Sequence, residues 1–437
     1  MSARVFRVTV PIALVAAAAI LLSGCSTQIA ERANKTSAHV VTIEGPITQQ
    51  DADLLSASWA GWEKANHITI LYSGMPDFEA SIATEAQQNN APDLAIFAQP
   101  GYIVDLAKDG LLQPVPSSVS TNISKNFPAS WAKYTTNGGS NYAAPLLATV
   151  NGWVFYSPKQ FAAWGVSVPK TWSELLTLTK TIKEKSGLAP WCDGFSDGAQ
   201  SGEAGVSWID DLVLREDGAK VYDEWVNHQI PFTDPRIAKA FDAAAQILQN
   251  PAYVNAGIGD VASINDSTAA LDASALESGK CALTHQPASF DNQLTDASGK
   301  QASIKPGGDY WAFPLPPVTA GATAVTGSGY FVSAFSTSAD TIKVQQYLSS
   351  SAWAKSRVKL GGAISPDLHL SASTDVNPLE QASTRLLQSK NTVFRFDAGD
   401  LMPAVVGSGT FLTGMVDWIK GTSTKSVLST VNQSWPN

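Results

Sequence analysis

Short β-rich runs alternate with amphipathic helical patterns along this chain, and that alternation limits the fold more than any other feature. His39-Val-Val-Thr-Ile43 has strand character, and Thr48-Gln-Gln-Asp51 has the shape of a capping box ahead of Leu55, Trp59 and Trp62 at helical spacing. His67 to Tyr72 is the next strand and Pro92 to Phe97 a further one. Two strands joined through a helix pair in parallel with a right-handed crossover. Tyr102 to Lys108 reads as a short helix ended near Gly110.

A second unit begins near Asn151. Gly152 to Tyr156 is a strand, and Thr171-Trp-Ser-Glu174 caps a helix carrying Trp172, Leu175, Leu176, Thr179 and Ile182 on one face. Helices follow over Trp208 to Leu214 and Asp234 to Gln249. Cys281 to Thr284, Trp311 to Phe313 and Gly329 to Ser333 read as strands, the second stopped by Pro314, Pro316 and Pro317. A helix runs through Tyr347 and Trp353, and the last amphipathic piece covers Phe411 to Ile419. Trp59, Trp62 and Trp172 sit at core spacing and are assigned to packing. The fold class is α/β.

Length and composition narrow the function. A chain of 437 residues suggests two or three domains and can bury large cores without staples. Only 15% of residues are charged, yet 13 Trp, 10 Tyr and 16 Phe exclude disorder. A net charge of −9 argues against nucleic acid, whose phosphates need a basic patch. Five His and three Cys leave little material for a metal site, and no cofactor is expected.

The first residues set the compartment. Arg4 and Arg7 precede an apolar run from Val8 to Leu22, too short for a good membrane span. Leu22-Ser23-Gly24-Cys25 then looks like a bacterial lipobox, whose cysteine carries lipid at the new N-terminus. Residues 1–24 read as a lipoprotein signal peptide and 25–37 as a lipidated, polar tether. The bland alternative is a plain signal peptide with an incidental cysteine. With Cys25 lipidated, Cys192 and Cys281 remain. Outside the cytoplasm a leftover pair is expected to be bridged; two separate buried thiols stay open, since no spacing argument excludes them.

Several segments together resemble the bacterial extracellular solute-binding proteins of ABC importers, in the carbohydrate group that includes maltose-binding protein. They are Pro92 to Gly101, Pro169 to Leu175, Pro190-Trp-Cys192, Trp208 to Leu212, Tyr222 to Trp225, Ile230 to Asp234, Gly279 to Leu283 and Phe396 to Pro403. Each is weak alone; in this order behind a lipobox they are specific. The chain looks closest to alpha-glucoside-binding members. The resemblance implies a type II periplasmic-binding-protein-like fold, two α/β lobes joined by a multi-strand hinge. It implies lobe one over 38–149 plus 325–360 and lobe two over 150–324 plus 361–437. The three crossings are placed near Ala148 to Asn151, Thr323 to Gly327 and Gly361 to Ser365. Glycines there suit hinge duty.

A neutral sugar needs donors and acceptors for its hydroxyls, flat aromatic faces for its C–H surfaces, and water excluded on closure. Ligands lie beyond the carboxyl ends of strands in open α/β sheets. That rule selects Glu44, Tyr72, Gln99 and Gly101 from lobe one, though several family members carry a different residue at the position of Glu44. Asn151, Trp191 and Trp208 come from lobe two. The resemblance adds His285 to Phe290, with Gln286 and Phe290 as contacts, and the loop with Asp397 and Asp400. The bland alternatives are core packing for Trp208, a macrodipole role for Asp210 and Asp211, and turn or cap roles for Asp397 and Asp400. The implied partners are a di- or oligosaccharide and permease subunits. Membrane contact runs through the lipid alone, at the outer face of the cytoplasmic membrane, for a monomer.

Two enzyme readings compete with this one. Gly194-Phe-Ser-Asp-Gly198 matches a nucleophile elbow, with Asp210 and His285 following in hydrolase order, but no clear strand precedes it. A lipoprotein glycosidase would need two carboxylates across a cleft, and no spacing identifies them. A structural surface lipoprotein is a third reading, distinguished by a melting temperature that no sugar raises.

Overall fold

The computed structural model describes residues 39–254, 260–319, 321 and 323–436. The expected signal peptide, Cys25 and the expected tether lie outside the described residues. Among the described residues no helix is long and apolar enough to cross a membrane.

β1 (Val40–Gly45), α1 (Gln49–Asn66) and β2 (Thr69–Gly74) form the expected unit, the strands parallel with Val40 opposite Thr69. Val41 and Ile43, two residues apart and so on one face, are fully covered, while Val40 and Thr42 on the other face are half-buried. Leu55 and Trp59 are buried in the same core, and Trp62 stacks on Tyr347 at 4.6 Å, so these tryptophans are packing residues. The Thr48 hydroxyl makes no cap bond, contrary to the capping-box expectation, and Gln49 behind it has φ 53. α2 (Phe78–Gln87) leads to β3 (Leu94–Phe97), parallel to β1, and α3 (Pro100–Lys108) follows with Gln99 at its N-cap.

β4 (Ala143–Val150) is the last strand of the first sheet before the chain crosses at Asn151 and Gly152 to β5 (Trp153–Tyr156). α4 (Trp172–Ser186) starts at a true cap, Thr171 accepting from the Glu174 N–H at 3.2 Å. Trp172 belongs to the second core.

α5 (Glu203–Val226), kinked at Gly218, begins five residues before the expected start at Trp208. Asp210 and Asp211 therefore lie two turns inside the helix and not in its first turn, so the macrodipole expectation is corrected. Glycines 202 and 205 hide that start from a propensity reading. α6 (Ala269–Glu277) precedes β6 (Leu283–Gln286), and β7 (Trp311–Pro314) closes the second sheet, ordered β6-β5-β7 and antiparallel. Cys192 and Cys281 are joined by a disulfide, 89 residues apart in sequence.

β8 (Thr323–Ala334) is one continuous strand where the sequence suggests a hinge and then a strand. It pairs with β4 and β3 antiparallel, and its first half pairs with a later strand in parallel. α7 (Ser351–Val358) ends in Gly361 and Gly362, both at positive φ, with the Gly361 N–H donating to the Val358 carbonyl. These glycines terminate a helix and are not a crossing. Ile364 bridges to Ala148, Leu370 lies in the first core, and α8 (Pro378–Gln388) leads to β9 (Thr392–Phe396) at the edge of the first sheet. The stretch from Ile364 to Phe396 thus packs on the first sheet, where the sequence reading puts it with the second. The third crossing falls at Asp397, after which α9 (Ala398–Leu401) and α10 (Leu412–Ile419) join the second core.

Candidate functional site: an interlobe cleft

A cleft of about 670 Å³ opens where the crossings meet the second sheet. Thr149 and Asn151 enter from the first crossing, Ser328 and Tyr330 from β8, and Gln286, Phe290 and Gln293 from β6 and the turn after it. The opposite wall is Phe195 to Gly198 with Glu203, Ala204 and Ser207 at the start of α5. Hydroxyls, amides and carboxyls thus surround the partly exposed Tyr330 ring, with Phe195 and Phe290 almost fully covered beneath the wall. Such a surface matches the alternating polar rims and apolar faces of a polyol.

One buried carboxylate holds much of this wall. Asp211 on α5 is fully covered. It forms an ion pair with Arg215, accepts from the Thr326 hydroxyl at 2.7 Å, and meets His285 Nε2 at 2.9 Å. Arg215 donates onward to the Leu315 carbonyl at 2.7 Å. At Gly152, φ is 72 and a Cβ would stand 1.9 Å from Asp211 Oδ2, so only glycine fits there. Asp211 therefore ties α5 to the first crossing, the β8 crossing, β6 and the chain after β7. Burial alone would raise its pKa; the Arg215 guanidinium and His285 outweigh burial and hold it at about 2.

Neighbouring Asp210 behaves oppositely. Burial, then the Asp397 carboxylate, push its carboxyl well above the usual range, and its Oδ2 accepts from the Ala398 N–H at 2.8 Å. Asp397, at the third crossing, accepts from Asn151 Nδ2 at 3.0 Å. The Asp210–Asp397 pair carries a proton, since two covered carboxylates in contact do not both ionise. Burial raises Asp400 too, aided by Asp397 and Glu203. Asp272 holds the far wall, accepting from Gly194 N–H at 2.7 Å, Ser267 Oγ at 2.8 Å and Gln286 Nε2 at 3.2 Å.

The structure brings together some of the sequence-selected residues. Asn151, Gln286 and Phe290 line the cleft, and Asp397 stands behind Asn151. Gln99 and Gly101 lie where the lobes touch. Gln99 Nε2 donates to Ser408 Oγ at 2.6 Å, and a Cβ on Gly101 would come within 2.7 Å of the Met402 carbonyl oxygen. Glu44, next to last in β1, is nearly covered, and Tyr72 turns its hydroxyl to the Ile47 carbonyl at 2.9 Å; neither lines the cleft.

Trp191 and Trp208 are corrections. Both are fully covered, packed edge to face at 5.4 Å, and Trp191 Nε1 donates to Thr179 inside the second core. A ring there contacts α4 and His285, not solvent. Glu203, Ser328 and Tyr330 were missed. Glu203 hides behind Gly202, and Tyr330 reads in sequence as an ordinary strand residue. The elbow geometry also fails: His285 bonds Asp211 rather than Asp210, with its ring against Trp208 at 4.4 Å.

Residues 42–355 match the bacterial extracellular solute-binding protein family. The chain belongs to that family. This solute-binding protein is 31% identical over 402 residues to the osmoprotective compounds-binding protein GgtB of Synechocystis sp., covering 91% of this chain and 92% of the relative. It is 32% identical over 410 residues to the alpha-glucosides-binding periplasmic protein AglE of Rhizobium meliloti, covering 90% and 86%. Both relatives are named as binding proteins, not enzymes. The solved structure of the solute receptor AcbH, described as preferring β-D-galactopyranose, superposes with a TM-score of 0.72 at 19% identity, covering 91% of this chain and 97% of that one. The fold is the type II periplasmic-binding-protein fold, two α/β lobes around a cleft.

Proposed function

We propose that this solute-binding protein is the sugar-capturing receptor of an ABC importer, taking an alpha-glucoside or a related oligosaccharide in the cleft and handing it to a permease. The observation that carries this reading is the cleft itself, with Asn151, Gln286, Glu203 and Ser328 beside the partly exposed Tyr330. The names of the two relatives support the ligand class, one naming alpha-glucosides and the other osmoprotective compounds. In this reading Cys25 carries lipid and tethers a monomer to the outer face of the cytoplasmic membrane. Capture ends in closure because the sugar binds the closed state better than the open one.

A thermal-shift panel of trehalose, maltose, sucrose and small osmoprotective polyols tests the ligand. A ligand at about 100 times its Kd that binds only the native state adds about 2.7 kcal/mol of stability. The expected result is a raised melting temperature with one sugar class, a smaller radius of gyration by scattering, and sugar recovered intact. Released glucose would support the glycosidase instead, and no shift with any compound would leave the structural-lipoprotein reading. Intact-mass measurement on membrane extracts tests the lipid on Cys25.

A further inference from the structure

The cleft offers its occupant an uneven set of polar groups. Asn151 is nine-tenths buried and spends its amide N–H on Asp397 at 3.0 Å. Its carbonyl oxygen, Oδ1, has no partner among the described residues, and the residue lines the cleft. A covered acceptor left unpaired costs roughly 1–3 kcal/mol unless an occupant supplies a donor. Glu203 and Asp197 line the same space, and no Lys, Arg or His stands among the described lining residues.

We propose that the cleft selects by charge, with Glu203 and the Asn151 carbonyl facing a hydroxyl or protonated-amine donor of a polyol and excluding polyols that carry a carboxylate or phosphate. This rests on the sugar-receptor reading and refines it. The field behind the lining has the same sign. Glu203 is faced by Asp197, Asp210, Asp397 and Asp400, carboxyl groups from the loop before α5, from α5 itself and from the third crossing. Burial first, then Asp397 and Asp197, push Glu203 up to about 8. Near pH 7 it is therefore mainly a neutral carboxyl that bonds a hydroxyl in either direction. Above pH 8 it becomes an anion and sharpens the discrimination.

The test is calorimetric titration with trehalose, maltose and sucrose and with their amino and uronate analogues, the carboxylate placed on either ring, at pH 7 and pH 9. At pH 9, where Glu203 is ionised, a like charge held about 5 Å away at an effective dielectric near 20 predicts uronates weaker by on the order of 100-fold. Amino analogues bind at least as well as the parent. The gap between parent and uronate widens from pH 7 to pH 9 in the wild type and widens less in Glu203→Gln, whose fold is checked by circular dichroism. Parent sugars that bind while uronates match them overturn charge selection and leave the sugar reading intact. A gap that widens equally in Glu203→Gln overturns the role of Glu203. If no parent sugar binds, the sugar reading fails and takes this one with it.

Discussion

Replacing Asp211 with alanine is expected to be the most damaging single change in the second lobe. The substitution removes the anion facing Arg215, whose side chain is 1% exposed, and strips partners from Thr326 and His285. Breaking a buried pair on one side typically costs about 3–5 kcal/mol, because an unpaired charge stays buried. At roughly 2–4 °C per kcal/mol for a lobe-sized unit, the thermal midpoint falls by about 6–20 °C. Urea unfolding followed by tryptophan fluorescence measures this, since Trp208 packs against His285. The same reasoning requires that Asp211→Leu combined with Arg215→Met lose less than Asp211→Ala alone, because removing both charges leaves neither one stranded. A loss below about 1 kcal/mol for the single change, or a double variant worse than the single one, would refute the hub. The pH dependence follows with its sign. Asp211 has its folded pKa lowered to about 2, so its contribution is full above its unfolded value near 4 and disappears as pH falls through 2.

Glu79 and Asp291 have the reverse sign: burial raises both to about 7, so the folded state holds protons that the unfolded state has released. Their contribution is full below about pH 4 and is lost as pH rises through 7, so the melting temperature should drop between pH 5 and pH 8, and Glu79→Gln should flatten that drop. Gly101→Ala drives a methyl group against the carbonyls of Asp400, Leu401 and Met402, so sugar affinity should fall by about tenfold or more while each lobe keeps its circular dichroism; unchanged affinity would mean the contact is absent from the bound state. Replacing both Cys192 and Cys281 with serine opens an 89-residue loop and should cost about 4–5 kcal/mol in the chain-entropy view, read by urea denaturation; a loss under 1 kcal/mol would contradict it.

Local signals were legible where the relevant physics is local. The parallel β1–β2 pair, the Thr171 cap and the packing roles of Trp59, Trp62 and Trp172 follow from spacing and side-chain chemistry. Asn151, selected at a strand end, and Gln286 and Phe290, implied by the family resemblance, lie along the groove. Trp191 and Trp208 are selected with them and lie in the core instead, because an aromatic ring suits a sugar face and a core equally well, and only the neighbours decide. The Gly361–Gly362 pair misled for a related reason. Positive φ serves a helix end as readily as a hinge, and the carbonyl that meets Gly361 belongs to the same helix.

Periodicity, caps and glycine placement were enough to specify the α/β class and most of the individual strands and helices, since each depends on residues a few positions apart. Which carboxylate would be an ion and which would share a proton was decided only in three dimensions. Asp210 and Asp211 are adjacent on one helix and chemically identical in sequence. One meets Asp397 and the other meets Arg215 and His285, groups up to 187 residues away. Charge state depends on what surrounds a group in space, and apart from Arg215, one turn along the same helix, that surrounding exists only once the chain has folded.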